Sequence, residues 1–427
     1  TCWSDTTGRG ACQKNFSANR CSVMDDKQLK KILKRGVSEI IQEEEFIKLL
    51  KSGKPIRLKQ GFDPSRPDIH LGHVVGLKKL RQLQDLGHKV ILIVGDWTAQ
   101  IGDPSGASIT RPMLTAEEVK SNAQSYMTQF FKVVDPEKTE VKWQSEWFGK
   151  FTLADVLKLT SKFTVAQFLA RDDFRKRFEE QRPIAITELL YPLLQAYDSI
   201  EIRSDVEFGG TDQMFNCLVG RELQQMEGQR PQQVFLMPIL VGTDGKQKMS
   251  KSLDNYIGVE EPPNDMYGKV MSMPDEVIIT YFELITDVDD DEIEEFKKQL
   301  TDGSVHPMDL KKRLAFEIVM QFHDEKAACD ADAHFSKVVQ QKELPDEIQE
   351  AKVSFKALAT DKEGEIRLPE LLLATGLVDS KGEARRMLAQ GAVQIDGNKA
   401  TDASAKIENG SIVKVGKRRI RKIINTD

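Results

Sequence analysis

The tetrapeptide His70-Leu71-Gly72-His73 and the pentapeptide Lys248-Met249-Ser250-Lys251-Ser252 are where residue type and spacing point to phosphate chemistry. In the first, the imidazoles stand three residues apart and would share one face of a helix. Gly72 lets a ligand approach the backbone, and a helix N-terminus here would favour negative charge by ~0.3–1 kcal/mol. The same four residues also fit two ordinary histidines, one capping and one packed, or a metal-binding pair. In the second, two lysines on flexible stems can follow a phosphate whose position changes during reaction. A solvated Lys/Ser turn fits that pentapeptide equally well. Tyr191, Gln195 and Asp198 form a third constellation, with the i, i+4, i+7 spacing that a helix aligns on one face. Converging in a pocket, they can receive an ammonium group and a phenol hydroxyl; a partly exposed polar stripe is the alternative.

Such groups need rigid elements behind them. Helical pattern begins near Lys27, runs through Ile40, Ile41, Phe46, Ile47 and Leu50, and stops at Ser52-Gly53-Lys54-Pro55. Ile56 to Phe62 reads as a strand broken by Asp63-Pro64-Ser65-Arg66-Pro67, a helix opens near His70, and Val90 to Val94 is a buried strand. This β-α-β unit predicts a parallel sheet with ligands at the carboxyl ends of its strands. A further strand is read at Gln233–Val241, and the loop Gly242–Lys246 leads into the lysine pentapeptide. After Pro262-Pro263 the pattern is helical only, Gln340 to Glu365 reads as a charged linker, and short helices and an alternating strand, Val393-Gln394-Ile395, follow.

The 427 residues exceed what one core usually supports, so two or three domains are expected. No apolar run approaches the ~18 residues of a membrane span. The formal charge is −6, yet from Ile366 onward 12 Lys/Arg face 7 Asp/Glu, which leaves +5 on this piece and −11 on the rest. A basic module on an acidic body suits a polyanion such as RNA, although a well-solvated surface explains the charge too. Residues 1–23 lack apolar periodicity and read as a tag, a translated leader or a transit peptide, giving a cytoplasmic location or, for a transit peptide, an organelle matrix.

The two phosphate motifs, in this order within one α/β domain, resemble the paired signatures of class I aminoacyl-tRNA synthetases. With Gly61-Phe62-Asp63-Pro64, Gly102-Asp103-Pro104-Ser105-Gly106, Tyr191–Asp198 and Gly209-Gly210-Thr211-Asp212-Gln213, they resemble the bacterial-type tyrosyl-tRNA synthetase family over most of residues 55 to 258. The resemblance implies that tyrosine is activated with ATP, supplied as its magnesium complex, to tyrosyl-adenylate and pyrophosphate, then passed to the 3′-terminal adenosine of tRNA(Tyr). His70 and His73 would contact ATP phosphates, and Lys248 and Lys251 would hold the departing pyrophosphate. Gly61, Asp63, Ser65, Gly72, Asp212, Met249, Ser250 and Arg111 would line the ATP and adenylate region. Tyr191, Gln195 and Asp103 would hold the amino group of tyrosine, Asp198 its phenol, and Gln213 the region of its carboxylate. No protein nucleophile, bound metal or tightly held cofactor is implied.

Two positions depart from the family pattern: Lys59 stands where a tyrosine is common, and Ala107 where a lysine is frequent. The segments Leu377–Arg386 and Gln390–Gly397 resemble a small RNA-binding fold carried by bacterial-type tyrosyl-tRNA synthetases, with Lys381, Arg385, Arg386, Lys417, Arg418 and Arg419 as phosphate contacts. The expected fold is therefore α/β: a leader or tag at 1–26, poorly ordered; a Rossmann-type parallel-sheet catalytic domain at 27–260; an all-α anticodon-arm domain at 261–345; a linker at 346–365; and a small α+β RNA-binding domain at 366–427. The resemblance further implies a homodimer. The competing readings are a tryptophanyl-tRNA synthetase, a non-catalytic RNA-binding factor on a synthetase scaffold, and a stand-alone nucleotidyltransferase.

Overall fold

The computed structural model describes residues 25–65, 67–105, 114–340, 348–360, 364–416 and 419–427. The leader expected at 1–26 thus lies almost wholly outside the described residues, as do Arg111, Gly106, Ala107, Lys417 and Arg418. The chain divides into two compact units, one up to Asp332 and one from Ala333.

The first unit is built on a six-stranded sheet of β1 (Glu39–Ile41), β2 (Arg57–Phe62), β3 (Lys89–Val94), β4 (Thr139–Trp143), β5 (Val206–Gly210) and β6 (Gln233–Met237), in the order β1-β6-β5-β2-β3-β4. All neighbours are parallel except β1, which runs antiparallel to β6. From β2 the chain crosses to β3 on one side and later reaches β5 on the other, so the crevice beyond the ends of β2 and β5 is a topological switch point, where open α/β sheets bind ligands. The apolar run of β3 is buried throughout, as a central parallel strand requires. Its neighbour β2 is polar, yet Lys59 and Gln60 are both buried.

The continuous helical pattern read from Lys27 to Leu50 is in fact a helix Asp26–Lys34, the edge strand β1 and a second helix Glu43–Lys51. Gly36 (φ +65°) and Gln42 (φ +63°) take left-handed conformations that interrupt the helix, and Ile40 is buried against β6. Between the two breaks a three-residue strand is too short for its period to show. The strand read at Gln233–Val241 stops at Met237.

Within the described residues of the first unit, helices alone follow from Pro263, including Pro263–Ser272, Ile278–Ile285 and Pro307–Phe322. Arg35 ties the amino-terminal segment to them: its guanidinium donates to the carbonyls of Phe282 (2.9 Å), Glu283 (2.9 Å), Thr286 (2.9 Å) and Val288 (2.5 Å) and pairs with Asp290 (2.9 Å). One planar cation thereby satisfies carbonyls that the end of the Ile278–Ile285 helix leaves without intrahelical partners.

The second unit holds β7 (Glu350–Val353), β8 (Glu365–Arg367), β9 (Val393–Ile395), β10 (Asn398–Ala400), β11 (Ser404–Lys406), β12 (Ile412–Val415) and β13 (Arg419–Asn425). Five form a sheet in the order β10-β9-β12-β13-β7, with β8 and β11 paired separately. The helices Leu368–Ala374 and Lys381–Ala389 cover a core of Leu371, Leu372, Leu388, Val413 and Ile423. The stretch read as a linker supplies β7, which runs parallel to β13 and buries Val353 in that core.

Candidate active site

A cleft of about 920 Å³ opens at the carboxyl ends of β2, β3, β5 and β6. It is lined by Gly61, Asp63, His70, Gly72, His73, Asp103, Tyr191, Gln195, Asp198, Asp212, Gln213, Lys248, Met249 and Ser250. Of the expected site residues that are described in the first unit, Ser65 and Lys251 alone are absent from that lining; Ser65 is exposed on its turn.

The helix Leu71–Asp85 begins at the histidine motif, with His70 as its N-cap (φ −128°, ψ 171°). Nδ1 of His70 accepts the backbone N–H of Gly72 (3.2 Å), and Nδ1 of His73 accepts the backbone N–H of His70 (3.2 Å). These bonds satisfy two donors that a helix start leaves open. They also fix the tautomers: with both Nδ1 atoms accepting, each neutral ring carries its proton on Nε2. Burial, then the charge of Lys251 and Lys248, pushes His73 down to about 3, and burial chiefly lowers His70 as well. A Cβ at position 72 would lie 3.0 Å from the His70 ring and would crowd the cap. The capping and phosphate readings of this motif are therefore compatible, because the caps use only one nitrogen of each ring.

The helix Ile186–Glu201 brings Tyr191, Gln195 and Asp198 to the cleft despite Pro192 within it. Tyr191 donates its hydroxyl to Asp63 Oδ2 (2.8 Å), and burial keeps that hydroxyl protonated far above its ordinary range. Asp63 Oδ1 accepts the Thr98 hydroxyl (2.7 Å). Asp198 is buried and receives Gln144 Nε2 (2.9 Å) on one oxygen and Trp147 Nε1 (3.2 Å) on the other. Burial lifts its carboxyl to about 7, against the opposing charge of Lys59. Asp103 and Gln213 meet directly, with Gln213 Nε2 2.6 Å from Asp103 Oδ2 and 2.9 Å from the Ser105 hydroxyl.

Across the cleft, Met249 is buried and its N–H donates to Leu240 (2.9 Å), anchoring the lysine loop to the end of the sheet. Asn255 holds the same loop from beneath, accepting from the N–H of Ser250 (2.8 Å) and donating to the carbonyl of Lys248 (3.1 Å). Lys248 is paired with Asp212. Lys251 is held outside the lining but near the histidines: it donates to the carbonyl of Asp68 and lies over the Tyr126 ring, 5.6 Å from its centroid, and its charge lowers both His70 and His73.

Several residues that shape the site carry no sequence signal. Gln144 and Trp147 lie just beyond β4, and their role depends on meeting Asp198, 54 and 51 residues away. Lys59 does not line the cleft; it is buried below it against Glu207 (2.9 Å), its cross-strand neighbour on β5. In the second unit, Lys381, Arg385 and Arg386 are exposed on the helix Lys381–Ala389, while Lys381 pairs with Glu370 (3.0 Å) and Arg419 with Glu383 (2.9 Å). Among the described residues no group of three or more His, Cys, Asp or Glu side chains could hold a metal ion, and no helix is long and apolar enough to cross a membrane.

Comparison with known proteins agrees with this geometry. Residues 51–340 match the family of class I tRNA synthetases (W and Y), and residues 347–418 match a tyrosine–tRNA ligase C-terminal domain. A tyrosine–tRNA ligase of Dehalococcoides mccartyi (strain CBDB1) is 60% identical over 399 residues, covering 93% of this chain and 99% of that protein. One from Thermotoga maritima is 52% identical over 395 residues, covering 92% of this chain and 96% of that protein. Among solved structures, the tyrosyl-tRNA synthetase of Archaeoglobus fulgidus complexed with L-tyrosine superposes with a TM-score of 0.58 at 26% identity, covering 71% of this chain and 98% of that one.

Proposed function

The chain belongs to the class I tRNA synthetase family and, within it, to the tyrosine–tRNA ligases, and from that premise we propose how its residues divide the reaction. The overall reaction joins tyrosine to tRNA at the expense of ATP. The observation that carries the division of labour is that the histidine motif, the lysine loop and the Tyr191–Gln195–Asp198 face all reach one cleft at the switch point of the sheet.

Tyrosine lies with its phenol toward Asp198, which accepts a hydrogen bond from the hydroxyl, and its ammonium toward Tyr191, Gln195 and Asp103. Gln213 orients the carboxylate end. The nucleotide extends past Asp63, Gly61 and Asp212, with its phosphates at the start of the Leu71–Asp85 helix. There the Nε2–H groups of His70 and His73 are neutral donors, already oriented by their Nδ1 bonds. The tyrosine carboxylate attacks the α-phosphorus, the bond to the bridging oxygen breaks, and pyrophosphate leaves toward Lys248 and Lys251. Catalysis is positioning and charge stabilisation, with no covalent enzyme intermediate. Magnesium enters with ATP as part of the substrate.

Recognition of tRNA is assigned to the second unit through Lys381, Arg385, Arg386 and Arg419, and to the helices after Pro263. Replacing Arg385 and Arg386 together by alanine is expected to raise KM for tRNA and to lower the salt-dependence slope of tRNA binding by about 2, while tyrosine-dependent exchange of pyrophosphate into ATP stays unchanged. The chain acts as a homodimer; the support is the helical stretch between β4 and β5, which exposes the large apolar side chains of Leu153, Leu157, Val165, Phe178 and Ile186, the residue type that a subunit interface covers. Its location is the cytoplasm, or an organelle matrix if residues 1–23 serve as a transit peptide.

ATP–pyrophosphate exchange measured with each amino acid in turn tests the pocket without tRNA. Exchange supported by tyrosine and far more weakly by phenylalanine is expected. Exchange with tryptophan in place of tyrosine would overturn the assignment of Asp198 to a phenol.

A further inference from the structure

Beneath the cleft lies a polar cluster that the reaction scheme does not use. Lys59 and Glu207 are 0% and 1% exposed, adjacent on the parallel strands β2 and β5. All three ammonium protons of Lys59 have acceptors: the backbone carbonyl of Gln195 (2.8 Å), the Ser199 hydroxyl (2.8 Å) and Glu207 Oε1 (2.9 Å). Glu207 Oε1 also accepts Nε2 of Gln195 (3.1 Å), while its Oε2 takes the Ser199 hydroxyl (3.4 Å) and the amide of Gln232. The cluster is closed by Gly220 of the helix Met214–Met226, where a Cβ would fall 2.8 Å from Gln232 Nε2 and 3.2 Å from Glu207 Oε2.

Both grips of this cluster fall on one residue, Gln195. Lys59 fixes its backbone and Glu207 its side chain. A carboxylate only accepts hydrogen bonds, so the Gln195 amide must present its NH2 downward, and the oxygen Oε1 is the atom left for the cleft. An ammonium only donates, so it can use Gln195 in that orientation and not in the flipped one. A neutral partner in place of Glu207 would permit both orientations. Lys59 cancels the buried charge of Glu207, which would be costly at that depth without a partner.

We infer that the buried Lys59–Glu207 pair is a positioning device for amino-acid recognition, setting the polarity of the Gln195 amide so that its oxygen faces the substrate ammonium. The inference rests on the proposal that Gln195 contacts that ammonium. It also gives Lys59, where a tyrosine is common, a task separate from the phenol contact.

Breaking one half of the pair strands a buried charge, so the informative variant is Lys59→Met/Glu207→Met in the full chain, which replaces the pair by apolar side chains of similar length, an exchange that proteins often tolerate. Inhibition by tyrosinol and by its des-amino analogue, 3-(4-hydroxyphenyl)propan-1-ol, separates ammonium recognition from the rest of the pocket. In the double variant, tyrosinol is expected to bind about 10–100-fold more weakly, with the des-amino compound unchanged, KM for tyrosine raised and kcat at saturating tyrosine retained. Equal losses for the two inhibitors, or no loss for either, would overturn the inference. Gln195→Ala supplies the second arm. Selective loss of tyrosinol there, without it in the double variant, rejects the positioning role alone; no selective loss in Gln195→Ala rejects the contact on which it rests.

Discussion

Replacing His73 by alanine is expected to slow tyrosine-dependent ATP–pyrophosphate exchange by about 10²–10³-fold, the usual effect of losing one donor that is aimed at developing charge. Tyrosine binding, followed separately by equilibrium dialysis, should be unaffected, because the residues proposed for the phenol and the ammonium, Asp198, Tyr191 and Gln195 on the Ile186–Glu201 helix together with Asp103, do not include the histidines. The loss has two sources, since His73 also accepts the N–H of His70 at the helix start. At His70, the N-cap itself, capping and imidazole chemistry can be separated by His70→Asn: asparagine is a good N-cap but lacks an imidazole that reaches beyond the cap. It should keep the thermal midpoint near that of the parent while activation still falls. The low pKa of His73, about 3, makes a further point. A ring working as a neutral donor gives no acid limb from pH 8 to 5, whereas an imidazolium would lose activity as pH rose through its pKa. An exchange rate at saturating tyrosine that declines between pH 6 and 8 and loses this decline in His73→Ala would refute the neutral assignment.

The second large effect belongs to Asp198. Its carboxyl is raised to about 7 by burial, so in the free protein it gains a proton as pH falls through that value. The phenol then donates to a neutral acceptor, and such a bond has roughly half the strength of a charge-assisted one. Accordingly kcat/KM for tyrosine should fall on the acid side with an apparent pKa near 7. Phenylalanine, which makes no such bond, should show no matching limb. Asp198→Asn is expected to remove the limb and to lower kcat/KM for tyrosine by about 10–100-fold. Gln144 and Trp147 both donate to this side chain, and an amide offers one acceptor atom where the carboxylate offers two. One buried donor is therefore left unmatched, and selectivity for tyrosine over phenylalanine should collapse with it. A limb that survives in the asparagine variant would belong to another group.

How much of this was legible in the sequence depends on how local each interaction is. The histidine motif contains its own cap, its glycine and both rings within four residues, so its position at a helix start could be read directly. The Tyr191–Gln195–Asp198 spacing survives for the same reason, since one helix defines it. Gln144, Trp147, Lys59 and Glu207 could not be read this way, because each acquires its role from a partner on another element. Lys59 could be seen as unusual, but not that it lies under the cleft with its charge cancelled across the strand. Short elements were also lost: β1 is three residues long inside a helical pattern, and β7 has no partner until β13 is formed some seventy residues later. The lysine loop is visible in sequence as a pentapeptide, but its two lysines have different surroundings, one on Asp212 at the cleft and one on Asp68 outside its lining.

The Lys59–Glu207 contact also constrains how this protein can change over generations. Losing one partner leaves the other as a lone charge almost fully shielded from solvent, a step that costs about 3–5 kcal/mol, a large part of the stability of an ordinary domain. Joint replacement avoids that cost. Descendants should therefore keep both residues or neither, and passage between the two states requires a nearly simultaneous double substitution or a prior gain in stability elsewhere. Gly220 narrows the route further, since any side chain there would intrude on the same cluster. Three positions on β2, β5 and the helix Met214–Met226 thus form one heritable unit, and a lineage that enters it has few single-step exits.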